Sequence, residues 1–139
     1  MWPLSVAGAW ENPFQLNSGE LFGMGSRTIP VTLECAGNHR VFLEPKVKGV
    51  QWALGAVGNA VWKGVPLSVL LASATTKFGA TAIILEGADA GPVETTPRPM
   101  CHIHFAPRLR LRKAMDEALL AYNINGKPCQ PPRVLHPPP

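Results

Sequence analysis

Val31-Thr32-Leu33-Glu34-Cys35-Ala36-Gly37-Asn38-His39-Arg40 is the stretch that bears most directly on the fold. Its β-branched, apolar first half favours the pleated conformation, so residues 29–34 are predicted to form a strand with Pro30 at its start or at a sheet edge. This strand would deliver one thiol into a turn beside a cation. A cation or main-chain N–H groups favour the thiolate, which is the reactive and metal-binding form. A small apolar cysteine buried at a strand end is the alternative, and the local sequence leaves both open.

Length and charge exclude several classes of protein. With 139 residues the chain fits one domain that can bury a core without a metal or disulfide to staple it. No window is apolar for long enough to span a membrane. The net charge is +4, but the densest basic cluster alternates with leucines, which is typical of a solvated strand or helix start: Arg108, Arg110, Arg112 and Lys113. Neither a nucleic-acid partner nor a membrane span is predicted.

The three cysteines give no disulfide framework. Cys35, Cys101 and Cys129 are widely spaced, and no CxxC pair is present. The first residues lack the basic start and long apolar core of a secretion signal. Either the protein stays in the cytoplasm or a leader is missing from this chain.

The first half of the chain predicts short elements around a long loop. A strand is expected over residues 4–8, and a helix over 18–22 with Ser18 or Asn17 as N-cap. A glycine-punctuated loop is expected over 36–64, and loops of this length are usually functional. Residues 62–67 then open a helix with Pro66 in its first turn, and an apolar stripe follows at helical spacing: Leu67, Leu70, Leu71 and Ala74.

The second half predicts a buried strand over 81–86, a helical turn over 112–117 and a strand over 119–124. Asn125-Gly126 suits a type I′ hairpin turn. From Pro128 the chain is too rich in proline to continue as a second hairpin strand, and a polyproline-like tail is expected instead. Cys101-His102-Ile103-His104 invites a zinc or copper site, but three ligands on one strand cannot converge without a bend, so this site is not favoured.

Four segments, in order, resemble the molybdenum-cofactor domain of the sulfite oxidase family, which includes sulfite oxidases, assimilatory nitrate reductases and bacterial relatives. They are Leu33-Glu34-Cys35-Ala36-Gly37-Asn38-His39-Arg40, residues 47–67, Leu85-Glu86-Gly87-Ala88-Asp89, and residues 119–128. The resemblance implies an α+β, β-rich sulfite-oxidase-like molybdopterin-binding fold. It places a partial domain at 1–127 and a tail that does not match the family at 128–139, and it implies truncation at both ends.

The resemblance also implies the site. Cys35 matches the single protein ligand to molybdenum in the molybdenum–molybdopterin cofactor, and a soft thiolate suits a sulfur-rich centre. Arg40 matches the arginine of the anion pocket, where a guanidinium fork fits two oxygens of sulfite. Lys48 and Trp52 fall where the family lines this pocket. Asn38 and Asp89 match cofactor-binding positions, with Asp89 near the amino-pyrimidine ring.

Other interpretations of these residues stay open. Lys48 is equally consistent with a surface lysine, and Trp52 with a core aromatic. Asp89 could serve its own turn by bonding to its backbone. His39 stands where the family often has arginine or glycine, which weakens one anion contact.

The implied activity is oxo transfer to sulfite, giving sulfate, with electrons passed singly to a haem or cytochrome acceptor. Another molybdenum-dependent reductase, acting on nitrate or a sulfoxide, is the alternative enzyme. A non-catalytic fragment with the same fold and no metal is the alternative of a different class. The family's His-Gly-x-Pro-x-Arg segment is missing here, so weak cofactor binding is expected. The compartment would be periplasmic if a leader is missing and cytoplasmic otherwise.

Overall fold

The computed structural model describes residues 3–92 and 102–129 of the chain. In chain order its strands are β1 (Leu4–Val6), β2 (Phe14–Leu16), β3 (Arg27–Glu34), β4 (Val57–Pro66), β5 (Ala82–Ile84), β6 (Ala90–Gly91), β7 (Ile103–His104), β8 (Arg108–Arg110), β9 (Leu119–Ile124) and β10 (Lys127–Pro128). The helices are α1 (Ser18–Gly23), α2 (Leu67–Leu71) and α3 (Leu111–Glu117). Short strands with few helices confirm the predicted α+β, β-rich class. Cys101 and residues 130–139 of the expected tail lie outside the described residues.

The chain divides into two compact units, and the first comprises residues 1–25 and 65–119. Its strands form antiparallel pairs, β1 with β2, β5 with β8 and β6 with β7. Helices α2 and α3 pack together and supply most of its buried apolar side chains, which are Val6, Val65, Leu67, Leu70, Leu71, Ala74 and Ala114. The apolar stripe predicted from Leu67 onward is therefore confirmed as core.

Helix α1 begins as the sequence predicts. Asn17 is the N-cap, and its side chain accepts a hydrogen bond from the Glu20 N–H at 3.0 Å. The Glu20 carboxylate accepts one from the Asn17 N–H at 2.8 Å in return. This reciprocal capping box satisfies two N–H groups that a helix start otherwise leaves unpaired. Asn17, the second of the two candidates, is the cap.

The second unit, residues 26–64 and 120–139, contains a four-stranded sheet in the order β10-β9-β4-β3. Strand β3 lies at one edge, as Pro30 predicted, and pairs antiparallel with β4 from Arg27 opposite Gly64 to Glu34 opposite Val57. At the β9–β10 turn, Asn125 and Gly126 have φ of 50° and 78°, which matches the predicted type I′ turn.

Three expectations about this sheet were wrong. The predicted loop over 36–64 ends at residue 56, because Val57–Pro66 forms β4. For the same reason the helix predicted to open over 62–67 begins only at Leu67. Glycine lowers local strand propensity, but eight paired positions on β3 outweigh it, and local sequence does not show that partner. The predicted tail was also wrong at its start, because Pro128 belongs to β10 and pairs with Asn123 of β9. Beyond it, the Cys129 N–H donates to the Tyr122 carbonyl at 2.9 Å. Proline is tolerated because β10 is an edge strand.

Gly64 is buried where β4 passes β9. A Cβ added there would lie 2.7 Å from the Ala121 Cα and would collide with the Leu120 carbonyl oxygen. We expect Gly64→Ala to lower the free energy of unfolding by about 2 kcal/mol, because overpacking forces the backbones apart. Urea denaturation measures this loss.

Gly58→Ala is the matched control, since Gly58 lies in the same strand with nothing within 4 Å of an added Cβ. Alanine there is expected to be neutral or to stabilise by about 0.5 kcal/mol through the unfolded chain. Equal losses from both substitutions would contradict a close approach specific to Gly64.

None of the helices in the described part of the chain is long and apolar enough to cross a membrane.

Candidate functional site

The segment between β3 and β4 is one loop whose two arms are joined by hydrogen bonds. The Cys35 N–H donates to the Ala56 carbonyl at 2.8 Å, and the His39 N–H donates to the Ala53 carbonyl at 2.8 Å. Further along, the Val41 N–H donates to the Trp52 carbonyl at 3.1 Å. We call residues 35–56 the thiol loop. The ladder places the cysteine arm and the tryptophan arm side by side.

Apolar burial does not hold this loop in shape. Most of its large apolar side chains are exposed to solvent, with Phe42 and Val50 at 62% and Leu54 at 72%. Within the loop only Gly37 is buried. Hydrogen bonds and close backbone contacts therefore fix the geometry of the thiol loop.

Cys35 presents its side chain at the end of β3. Its thiol is exposed, and the Gly37 N–H points at Sγ at 3.4 Å. The turn is closed by the Asn38 N–H, which donates to the Cys35 carbonyl at 2.9 Å. An exposed thiol facing a main-chain N–H does not fit the alternative of a buried apolar cysteine. It suits a ligand or nucleophile.

Arg40 lies folded against two glycines. A Cβ at Gly37 would lie 2.7 Å from Nη2, and one at Gly49 would lie 3.0 Å from Cζ. The guanidinium donates from Nη1 to the Val50 carbonyl at 3.0 Å. A guanidinium has five N–H donors, so this bond leaves others available for an anion. The two glycines let the side chain lie flat on the loop.

Trp52 is joined to Arg40 through one backbone group. The Val50 carbonyl that accepts from Arg40 also accepts from the Trp52 N–H at 3.0 Å. The Trp52 side chain is 45% exposed, so it is not a core aromatic. Lys48 is exposed on the same loop and interacts with at least one other group of the protein. Both therefore sit on the same loop as Cys35 and Arg40.

Asn38 is half-buried inside the loop, and its side chain bonds to the protein itself. Its Oδ1 accepts from the N–H groups of Gly55 at 3.2 Å and Ala56 at 3.1 Å. Its Nδ2 donates to Glu34 Oε1 at 2.7 Å. The amide oxygen therefore joins the two arms, and the role that the sequence predicts for Asn38, contact with the cofactor, stays a prediction.

Asp89 belongs to the first unit. It is exposed, and its carboxylate lies over Gly87 in the same turn, so that a Cβ at Gly87 would collide with it. The cofactor role of Asp89 stays a prediction. In the same unit His104 Nδ1 lies 2.9 Å from the Gly87 carbonyl oxygen, which ties β7 to this turn.

The donor set of the thiol loop fits a metal that brings its other ligands with it. Across residues 3–92 and 102–129, no group of three or more His, Cys, Asp or Glu side chains could hold a metal ion. Cys35 offers one exposed thiol, and sulfur is a soft ligand. A molybdenum centre whose remaining sulfurs belong to a pterin needs only this one protein ligand, so the residues present fit that group.

Sequence reasoning missed three supporting groups of the loop: the Glu34 carboxylate, Gly49 and the Val50 carbonyl. Gly49 has φ of 115°, a conformation that favours glycine, and the glycines were the signal that could have found it. The Val50 carbonyl left no such signal, because any residue carries one.

A family model for the oxidoreductase molybdopterin-binding domain matches residues 1–133. Among curated proteins, the nitrate reductase [NADPH] of Fusarium oxysporum is 32% identical over 136 residues, covering 94% of this chain and 14% of that protein. The mitochondrial sulfite oxidase of Homo sapiens is 35% identical over 120 residues, covering 81% of this chain and 21% of that protein. The chain thus spans about a fifth or less of the length of these relatives.

A solved structure shows the same fold. The sulfane dehydrogenase SoxCD from Paracoccus pantotrophus superposes with a TM-score of 0.72 at 27% sequence identity, over 93% of this chain and 30% of that one. The predicted sulfite-oxidase-like architecture is confirmed by this match together with the family model.

Proposed function

Because the chain belongs to the family of oxidoreductase molybdopterin-binding domains, we propose that it oxidises sulfite at a molybdenum cofactor held by Cys35 and passes the electrons to a haem or cytochrome acceptor. One observation carries the proposal: an exposed thiol on a loop that also holds Arg40 and Trp52. Similarity to a sulfite oxidase and to a sulfane dehydrogenase supports a sulfur-containing substrate.

Cys35 would hold the metal through its thiolate. The cofactor, when bound, supplies the oxygen atom to be transferred and takes up two electrons, while the protein supplies orientation and charge. The Gly37 N–H points at Sγ at 3.4 Å and so helps to orient the sulfur. Asp89 is proposed to accept a hydrogen bond from the pterin amino group.

Arg40 would orient the anion. Its Nη1 bond to the Val50 carbonyl and its packing against Gly37 and Gly49 restrict the guanidinium, and its remaining N–H groups would form the fork that binds the anion. Trp52, anchored on the same carbonyl, would offer its indole N–H to a second oxygen. Lys48 would add positive charge at the edge of the loop. These groups bind a small oxyanion without covalent chemistry of their own.

Nitrate reduction is the second candidate. It is favoured by the 32% identity with a nitrate reductase over 94% of this chain. A planar guanidinium fork suits nitrate as well as sulfite, so Arg40 does not separate the two substrates.

Purified protein reconstituted with an excess of the cofactor is expected to bind molybdenum and to reduce a cytochrome when sulfite is added. Nitrate with a reduced dye is the parallel assay, and it should give no turnover. Turnover of nitrate alone would replace the first candidate with the second. Absence of both molybdenum and pterin fluorescence would support a non-catalytic fragment instead.

A further inference from the structure

We propose that Glu34 and Asn38 act together as a positioning pair for the Cys35 thiol. Glu34, the last residue of β3, directly precedes the cysteine, and Asn38 follows it by three residues. The inference rests on the proposed function in taking Cys35 as the metal ligand. It adds two residues that act through the loop and do not touch the metal.

The carboxylate of Glu34 decides how the Asn38 amide is turned. An ionised carboxylate only accepts hydrogen bonds, so the group that faces it at 2.7 Å must be the Nδ2 donor. The amide oxygen then faces the opposite way, where it accepts from the N–H groups of Gly55 and Ala56. Without Glu34 the amide could turn over and place its donors against those two N–H groups.

Ala56 connects this pair to the cysteine. Its N–H donates to Asn38 Oδ1 at 3.1 Å, and its carbonyl accepts from the Cys35 N–H at 2.8 Å. The Asn38 N–H donates to the Cys35 carbonyl at 2.9 Å. Cys35 is thus held through both of its backbone polar groups by residues that also hold each other. The direction of the exposed thiol follows from this closed set of bonds.

Pairing of β3 with β4 holds the backbone of Glu34 in place. Glu34 lies opposite Val57, the first residue of β4, so the carboxylate is carried by paired strands and not by the loop. His39 is also close to this carboxylate, with its Nδ1 3.8 Å from the same Oε1. Both side chains are more than half exposed, so this contact contributes little. Asn38 is the partner that matters for the loop.

Exchanging donor and acceptor tests the pair. Asn38→Asp sets two carboxylates face to face, and adding Glu34→Gln to it restores a donor opposite an acceptor. The first readout is amide hydrogen exchange at Cys35, Gly55 and Ala56 in the cofactor-free protein. The second is molybdenum bound per chain after reconstitution.

Asn38→Ala and Asn38→Asp are each expected to speed exchange of the three amides roughly tenfold and to lower the molybdenum content, because the loop loses a bridging acceptor or its orientation. The double variant Asn38→Asp/Glu34→Gln should recover both readouts. Asn59→Ala is the matched control, since Asn59 also makes a side-chain bond, to Thr32 at 3.4 Å, away from the thiol loop. His39→Asn controls for loss of the weak contact to Glu34.

Unchanged exchange in Asn38→Ala, or no recovery in the double variant, would overturn the positioning pair. The exchange readout does not need the cofactor, so it separates the two proposals. Wild-type protein that takes up no molybdenum would reject the proposed function even if the exchange pattern is as expected. Molybdenum uptake that all the variants share would leave the proposed function standing and reject the pair.

Discussion

Cys35→Ser is expected to abolish molybdenum binding and turnover while the protein stays folded. Serine replaces a soft thiolate by a hard hydroxyl that is protonated at neutral pH, so the only proposed protein ligand is lost. The side chain is exposed, and the Cys35 N–H bond to Ala56 belongs to the backbone. The free energy of unfolding should therefore stay within about 0.5 kcal/mol of wild type. Metal analysis, a sulfite assay and urea denaturation give the three measurements.

Cys129→Ser is the matched control, because Cys129 is also an exposed free thiol of the second unit. It should keep its molybdenum and its turnover. If Cys35→Ser protein retained wild-type molybdenum, Cys35 would not be the ligand. If both serine variants lost it equally, the loss would not be specific to the thiol loop.

Arg40→Lys is expected to lower kcat/KM for sulfite on the order of 10²-fold, equivalent to about 2.7 kcal/mol. An ammonium keeps the charge but cannot donate to the Val50 carbonyl and present a planar fork to an anion at the same time. The lysine stem would also leave the space between Gly37 and Gly49 incompletely filled. Most of the change should appear in KM, because anion binding is weakened before the chemical step.

Arg27→Lys serves as the control for this substitution. Arg27 is an exposed arginine at the other end of β3, opposite Gly64, and takes no part in the thiol loop. In steady-state kinetics at constant ionic strength, the kcat/KM of Arg27→Lys for sulfite should equal that of wild type. A kcat/KM that is unchanged in Arg40→Lys would remove Arg40 from the anion pocket.

Local patterns predicted those elements whose cause lies within a few residues. The Asn125-Gly126 turn forms because both residues adopt positive φ, which asparagine and glycine tolerate best. Helix α1 starts at a capping box that lies within four consecutive residues, from Asn17 to Glu20. Helix α3 and strand β9 likewise follow the predicted 112–117 and 119–124 closely.

Elements that depend on a distant partner were less predictable. The sequence of β4 is typical of a glycine-rich loop, and it forms a strand because it pairs with β3. The sequence of β10 is typical of a proline-rich tail, and it forms a strand because it pairs with β9. β2 was not foreseen either, since its three residues are ordered by pairing with β1. Strand stability comes from cross-strand pairs, which local propensity does not contain.

By itself, the sequence determined which residues could form the site. It identified a thiol between a strand and a turn, the arginine five residues later, and a resemblance to a family whose model matches residues 1–133. Residue type decides whether an atom can be a soft ligand or a forked donor, and type is what a sequence records.

Only the tertiary structure decided how these residues are held. It brought residues 35–42 against residues 50–56, joined Arg40 to Trp52 through the Val50 carbonyl, and used the Asn38 amide to join the two arms. The physical reason is that these bonds use backbone groups, which every residue carries alike. Their pairing depends on where the chain folds back, and this is set by the pairing of β3 with β4 together with the hydrogen bonds within the loop.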